Sequence, residues 1–269
     1  MRKSLGFIGG GRSTKLLLQG FTNRNVKFKR IIVTDVNNIT LERLRNDYPF
    51  IKVDSASVAA AQDIVFLSMD QSMIMDTLGL LRNDFKNDPI IVSLVPDVNF
   101  GKLALRLQNT NRLVRILPAS STYINEGYTP VSFAQGFPET VKDDVLDLFG
   151  YIGKAFEVPE EKLETYSLMS AILPSYFWYQ WKELISMGQE IGLTEQETVD
   201  YINESVLSSL RMNYKSGLSQ EQVVDLMPVS PLEENEMAVR EMHRNRLIEL
   251  YRRIRPQMIG KQPVATRSR

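Results

Sequence analysis

The chain has no cysteine and a single histidine, His243, in 269 residues. The first absence excludes disulfides, a thiolate nucleophile and cysteine metal sites. The second leaves one imidazole for a zinc cage or a Ser-His-Asp triad, and no carboxylate spacing around His243 suggests either. An excess of one charge is also missing: Lys plus Arg and Asp plus Glu each total 32, for a formal net charge of zero. No general pull toward nucleic acid or an acidic surface follows, and neither is an expected partner. No run of about 18 apolar residues occurs, so no membrane span is expected. The sequence enters a strand almost at once, which leaves no room for a signal peptide, and a cytoplasmic protein is the expectation.

What is present organises the chain from its amino end. Leu5-Gly6-Phe7-Ile8 is a short apolar run that suits a buried parallel strand. Gly9-Gly10-Gly11-Arg12-Ser13-Thr14 follows, and then the apolar run Leu16-Leu17-Leu18. Strand, glycine turn and helix form the arrangement that cradles a dinucleotide pyrophosphate. Gly9 permits the tight turn, Gly11 lets the backbone approach the phosphates with no Cβ in the way, and the free N–H groups at the helix start face the anion. The third small position holds Thr14, giving G-x-G-x-x-T; Thr14 either packs close against the strand or caps the helix. A second strand at 30–34 ends at Asp35, where an acidic side chain accepts the adenine-ribose hydroxyls and repels a 2′-phosphate, so NAD is favoured over NADP. A plain structural turn is the competing reading of the glycines.

Strand-like runs at 5–8, 30–34, 51–53, 63–68 and 89–94 alternate with helical stretches at 14–20, 40–47, 55–61 and 71–81, with Thr40 as a helix cap. Near-continuous apolar strands between helices imply an α/β fold with a doubly wound, mostly parallel sheet covered on both faces. Ligands then bind beyond the strand C-termini, an edge that carries Gly9 to Thr14, Asp35, Ser68-Met69-Asp70-Gln71 and Val95-Pro96-Asp97. Met69, Met73 and Met75 are expected to pack the core or an adenine wall. Further strands are expected at 111–117, ending at Pro118-Ala119-Ser120-Ser121, and at 129–134 and 154–158, with a helix at 140–149. From residue 159 the pattern is helical. The expected division is a Rossmann-like dinucleotide-binding domain over 1–158 and an all-helical domain over 159–269, the latter ending in a disordered basic tail from about 260. Pro174 divides the first helical stretch. Tyr176-Phe177-Trp178-Tyr179-Gln180-Trp181 reads as a buried helix, at a contact between subunits. Thr194-Glu195-Gln196-Glu197, Ser219-Gln220-Glu221-Gln222 and Ser230-Pro231-Leu232-Glu233 read as capping boxes.

The order of these motifs resembles pyrroline-5-carboxylate reductase along nearly the whole chain. Gly6-Phe7-Ile8-Gly9-Gly10-Gly11 is similar to that family's first strand and turn, and Asp63-Ile64-Val65-Phe66-Leu67 to its fourth-strand segment. Val114-Arg115-Ile116-Leu117-Pro118 is similar to V-R-x-M-P, Pro174-Ser175-Tyr176 to the end of S-G-S-G-P-A-Y, and Ser230-Pro231 to the start of S-P-G-G-T-T. The resemblance implies an N-terminal Rossmann domain, helical domains that pair between subunits into a homodimer or larger assembly, and hydride transfer from NAD(P)H to a small cyclic imine in proline biosynthesis. The departures are specific. Asp35-Val36 stands where the family has an arginine for the NADP 2′-phosphate. Met69-Asp70-Gln71 replaces V-K-P, Leu117-Pro118-Ala119-Ser120-Ser121 replaces M-P-N-T-P, and Ser170-Ala171-Ile172-Leu173-Pro174 replaces S-G-S-G-P. Leu232-Glu233-Glu234-Asn235 replaces the glycines and paired threonines, and two glutamates there would repel a substrate carboxylate.

Hydride transfer needs mostly positioning, and a protonated imine needs no strong general acid, so a single histidine is compatible with such a reaction. It is equally compatible with no catalysis. Candidate catalytic groups are Ser120, Ser230 and Glu234, with Ser121, Tyr123 and Ser170 as further polar groups. Ser230 is also read as a helix cap, Ser120 and Ser121 as turn serines, and Tyr176 as core. The candidate cofactor set is Gly9 to Thr14, Asp35, Ser68, Met69, Asp70, Val95 and Pro118. His243, between Arg240 and Arg246, reads as solvated or interfacial, and Lys102 and Lys182 as solvated. The expected function is an NAD(P)-dependent reductase with an altered substrate pocket; the alternative is a catalytically inactive nucleotide-binding or assembly relative. A hydroxy-acid dehydrogenase is a weaker third reading, because no lysine or histidine acid-base group is evident in the helical part.

Overall fold

The strands at Leu5–Ile8, Ile31–Thr34, Ile64–Leu67 and Ile90–Ser93 are each four residues of mostly branched or aromatic side chains, and all but Thr34 are buried. Such runs cannot face water on either side, and they stack between helices. The computed structural model describes residues 3–107, 110–229 and 233–255. In order, the elements begin β1 (Leu5–Ile8), α1 (Arg12–Asn23), β2 (Ile31–Thr34), α2 (Asn38–Asp47), β3 (Lys52–Val53), α3 (Ala56–Ala60), β4 (Ile64–Leu67) and α4 (Ile74–Leu81). They continue β5 (Ile90–Ser93), α5 (Phe100–Ala104), β6 (Leu113–Ile116), β7 (Gly127–Phe133), α6 (Glu139–Gly150), β8 (Gly153–Glu157) and α7 (Leu163–Ser167). A π-helical turn, Leu168–Ile172, precedes α8 (Ser175–Glu190), α9 (Glu195–Lys215), α10 (Gln220–Asp225) and α11 (Glu236–Ile254).

The strands form one sheet in the order β3-β2-β1-β4-β5-β6-β7-β8. Pairing is parallel throughout except between β6 and β7. All eight expected strands are present. Alternation along each strand divides its side chains between two cores: Leu5, Phe7 and Phe66 join one, Ile8, Val65 and Leu67 the other. Phe7 and Phe66 stack with centroids 4.5 Å apart. Cutting Phe66 to alanine would cost ~3–5 kcal/mol, by lost burial and the cavity left behind. Gly6 lets α3 lie directly on β1, since a Cβ there would come within 1.9 Å of the Ala59 carbonyl oxygen. The chain leaves β1 toward β2 on one side and β4 lies on the other, so a crevice opens between the C-terminal ends of β1 and β4.

The described residues divide into two compact units, one of which is Ile172–Leu250. Residues 159–171, which the sequence assigns to the helical part, therefore group with the sheet. The cause is Arg115 of β6, 1% exposed, which donates to Glu160 Oε1 at 2.9 Å and to the buried Glu164 of α7. A buried guanidinium needs those carboxylates, and they hold the first helical turns against the sheet. Two further local expectations are corrected. Thr40 does not cap α2; Asn37 does, accepting the Thr40 N–H. Lys102 is not solvated; its ammonium donates to the Asp97 carbonyl at 2.7 Å and its side chain is 25% exposed.

In the second unit, Thr194 with Glu197 and Ser219 with Gln222 form the expected capping boxes. α8 and α9 meet at Gly188, where a Cβ would lie 2.4 Å from Thr198 Cγ2. The Tyr176 ring meets His243 edge-on at 5.1 Å, so His243 is half-buried rather than fully solvated. The aromatic helix is not buried within this chain: Trp178 is 53% exposed and Tyr179 79%. The box at Ser230 and the tail beyond 260 lie outside the described residues.

Candidate functional site

The turn between β1 and α1 is built by three glycines with three different jobs. Gly9 has φ +111°, and a Cβ on it would sit 2.5 Å from the Ser68 carbonyl. Only glycine fits both demands. Gly10 donates its N–H to Asp35 Oδ2 at 2.6 Å. Gly11 is the N-cap of α1; no side chain caps the helix, and a Cβ there would meet nothing within 4 Å. The N–H groups of the first helical turn, including Arg12, Ser13 and Thr14, therefore have no acceptor inside the helix and open onto room for an anion.

Thr14, fully buried, packs against the strand and does not cap the helix. Its Oγ1, Ser68 Oγ and the Gly9 carbonyl oxygen form a triangle with 2.6 Å edges. Two hydroxyl hydrogens serve two edges at a time, so Gly9 is held from both α1 and the end of β4. Asp35 is held as firmly: Oδ1 accepts the Asn37 N–H at 2.8 Å while Oδ2 accepts Gly10. Each carboxylate oxygen keeps a second lone pair, so the group can still accept from a ligand hydroxyl. Asp70 Oδ1 accepts the Ser72 hydroxyl and N–H, which together hold its carboxyl below the usual carboxylate range, the hydroxyl first.

A cleft of about 340 Å³ opens over this turn, lined among others by Gly9, Gly11, Asp35, Ser68, Met69, Asp70 and Met73. Six of the twelve expected cofactor residues, Gly9, Gly11, Asp35, Ser68, Met69 and Asp70, thus line one cleft, and Gly10, Arg12, Ser13 and Thr14 belong to the turn beneath it without lining it. Val36, noted beside Asp35, joins the lining, and so do Ala56 and Thr77, which were not singled out. Thr77 was legible one helical turn after Met73; nothing in the spacing marks Ala56. Val95 and Pro118 do not line the cleft, and the Val95 side chain lies in the core. Ser120 does not line it either: it opens a 3₁₀ turn, Ser120–Ile124, fastened to the far end of α1 by Asn23 Nδ2 donating to the Tyr123 carbonyl at 2.8 Å. Ser170 Oγ is buried without a hydrogen-bond partner. Glu234 is exposed in the helical unit, and Ser230 lies outside the described residues. Among the described residues, no group of three or more His, Asp or Glu is placed to hold a metal ion. No helix among them is long and apolar enough to cross a membrane.

Comparison with known proteins bears on this geometry. Residues 4–97, which contain the turn and the crevice, match the family model described as "NADP oxidoreductase coenzyme F420-dependent". The chain is 23% identical over 223 residues to the pyrroline-5-carboxylate reductase of Staphylococcus epidermidis, an alignment covering 81% of each. The chain is thus similar over most of its length to the pyrroline-5-carboxylate reductases. The Streptococcus pyogenes 1-pyrroline-5-carboxylate reductase superposes with a TM-score of 0.74 at 18% identity, over 94% of this chain and 96% of that one. The Plasmodium falciparum pyrroline carboxylate reductase, solved with NADP bound, superposes with a TM-score of 0.70 at 19% identity, over 94% and 95%. At these identities the superpositions establish the fold.

Proposed function

We propose that this protein is a nicotinamide-dinucleotide-dependent reductase of a small imine, with NAD preferred to NADP. The observation that carries the reading is the uncapped start of α1 at Gly11, with the Asp35 carboxylate fastened one residue away at Gly10. The N–H groups of α1 bind the pyrophosphate, and Gly11 contributes no Cβ to obstruct it. Asp35 accepts the adenine-ribose hydroxyls, and its charge disfavours a 2′-phosphate. Met69 and Met73 offer apolar surface along the cleft. A reduced nicotinamide, when bound, supplies the hydride. An imine that arrives protonated takes it at carbon and leaves as an amine, so no strong acid is asked of the chain. Ser120, Ser230 and Glu234 remain the polar groups proposed for the substrate side. Pyrroline-5-carboxylate is the first substrate to try, in a cytoplasmic proline-forming role.

We also propose a homodimer through the helical unit. In α8 and α9 the only buried residues are Gly188 and Thr198, and Trp178, Tyr179, Met187 and Tyr201 are exposed. Apolar surface on this scale is what a subunit contact covers. Light scattering should give about twice the chain mass of 30.8 kDa, and a monomer at micromolar concentration would remove this part of the reading.

Fluorescence titration with NADH and NADPH, followed by addition of pyrroline-5-carboxylate and absorbance recording, tests the whole. Binding with oxidation of NADH supports the reductase. Binding with no turnover on any imine favours an inactive nucleotide-binding relative, and no binding of either nucleotide removes the reading.

A further inference from the structure

Beyond the cleft, the C-terminal edge of the sheet carries an ionic clamp that the glycine-turn reading does not use. Asp97, in the loop after β5, adopts φ +60°. A non-glycine residue there is strained, though aspartate tolerates it better than most, and it persists only where its surroundings hold it. Its surroundings come from two other elements. Gln71, in the loop after β4, donates Nε2 to Asp97 Oδ2 at 2.5 Å. Lys102 of α5 donates Nζ to the Asp97 carbonyl at 2.7 Å and stands 3.5 Å from Oδ1. The start of α5 is fixed in turn: the Phe100 N–H donates at 2.7 Å to Glu160 Oε1, the oxygen that also accepts from Arg115. Polar contacts therefore run along the edge from Gln71 through Asp97 to Lys102, and the Phe100 N–H ties the start of the same helix to Glu160, Arg115 and Glu164.

The loop that Gln71 belongs to also supplies Ser68, Met69, Asp70 and Met73 to the cleft wall. Beyond the paired ends of β4 and β5, the Asp97 carboxylate ties this loop to the β5 loop through Gln71. We infer that Asp97, with Lys102, is a positioning pair that holds the β4 and β5 loops at the separation a dinucleotide needs beyond its adenine end. This rests on the dinucleotide reading above. Neither side chain is assigned contact with cofactor or substrate; they act through the loops.

Asp97→Gly tests it cleanly, because glycine accepts the observed φ without strain and the fold is expected to survive. Lys102→Met removes the cation while keeping an apolar stem. The probes are ADP, which reports the adenine end at Asp35, and NADH, which spans the edge. Both variants should bind ADP as the unaltered protein does and NADH about tenfold more weakly, a loss that falls on NADH alone whatever small shift the unfolding midpoint shows. Asp97→Asn, which keeps the left-handed preference and an acceptor, should recover part of the NADH affinity. A merely structural clamp would lower the unfolding midpoint of Lys102→Met and leave the ratio of NADH to ADP affinity unchanged, which overturns the inference. If the unaltered protein binds neither probe, the dinucleotide reading itself fails and takes the positioning role with it; intact binding with unaffected variants overturns the positioning role alone.

Discussion

Replacing Asp35 by serine tests two physical roles of one carboxylate at once. The carboxylate accepts the Gly10 N–H at 2.6 Å and the Asn37 N–H at 2.8 Å, so it braces the glycine turn and the entry to α2. Hydrogen bonds to a charged acceptor are worth ~1.5–3 kcal/mol each, but the site is half-exposed and water replaces part of the loss, leaving about 1–2 kcal/mol in total. For a chain of this size that is a fall in unfolding midpoint of about 2–8 °C. The second role is recognition of the ribose hydroxyls, and losing it should weaken NADH by about tenfold or more. NADPH should suffer less, because a repelling charge has gone at the same time, so the NADH/NADPH preference narrows or inverts. Calorimetry and paired fluorescence titrations read the two effects separately. Asp35→Asn sharpens the comparison: its amide keeps one acceptor but turns an NH₂ toward a backbone donor, so the turn is not rescued. An Asp35→Ser protein with unchanged NADH affinity would refute the ribose role, and one with an unchanged midpoint would refute the bracing role.

The glycines should separate in the same assays. Gly9→Ala, strained at φ +111° with its Cβ 2.5 Å from the Ser68 carbonyl, should cost about 3 kcal/mol or fail to fold, whereas Gly11→Ala, with nothing within 4 Å, should melt normally and still lose dinucleotide binding. A Gly11→Ala protein that binds NADH as before would show that the anion does not approach there. Arg115→Met leaves Glu164 buried without its cation and should destabilise by ~3–5 kcal/mol in denaturant melts, and adding Glu164→Leu should recover much of that; failure to recover would mean the pair is not the cause. Asp63 is held below its usual value of 3.8, chiefly by the Ser4 N–H and then the Ser4 hydroxyl. Its contribution is therefore present above that value and lost as pH falls through the lower folded value. The gap of about 1 kcal/mol between the unaltered protein and Asp63→Asn should hold near neutrality and close in acid, and a gap independent of pH would contradict this.

The strands were legible because a parallel strand covered on both faces must be apolar at every position, and Ile64-Val65-Phe66-Leu67 states that without help from distant residues. The glycine turn was legible for a similar reason: a backbone demand at Gly9 can be met by one residue type. Where the sequence fell short, the deciding partner was far along the chain or was backbone. Arg115 reads as one charge in an apolar run, and nothing local says that Glu160 and Glu164 will close over it, so the helical period beginning at 159 looked like a new domain when its first turns belong to the sheet. Thr40 reads as a cap as well as Asn37 does; the choice depends on which residue leaves helical geometry first. Ser120 follows a strand end, as a site residue should, and nothing local says that its 3₁₀ turn is tied to Asn23 at the far end of α1 and does not line the nucleotide cleft. Exposure of Trp178 and Tyr179 makes the converse point. An apolar helix calls for a cover, and among the described residues Trp178 and Tyr179 stay exposed, which is the ground for the homodimer proposed above.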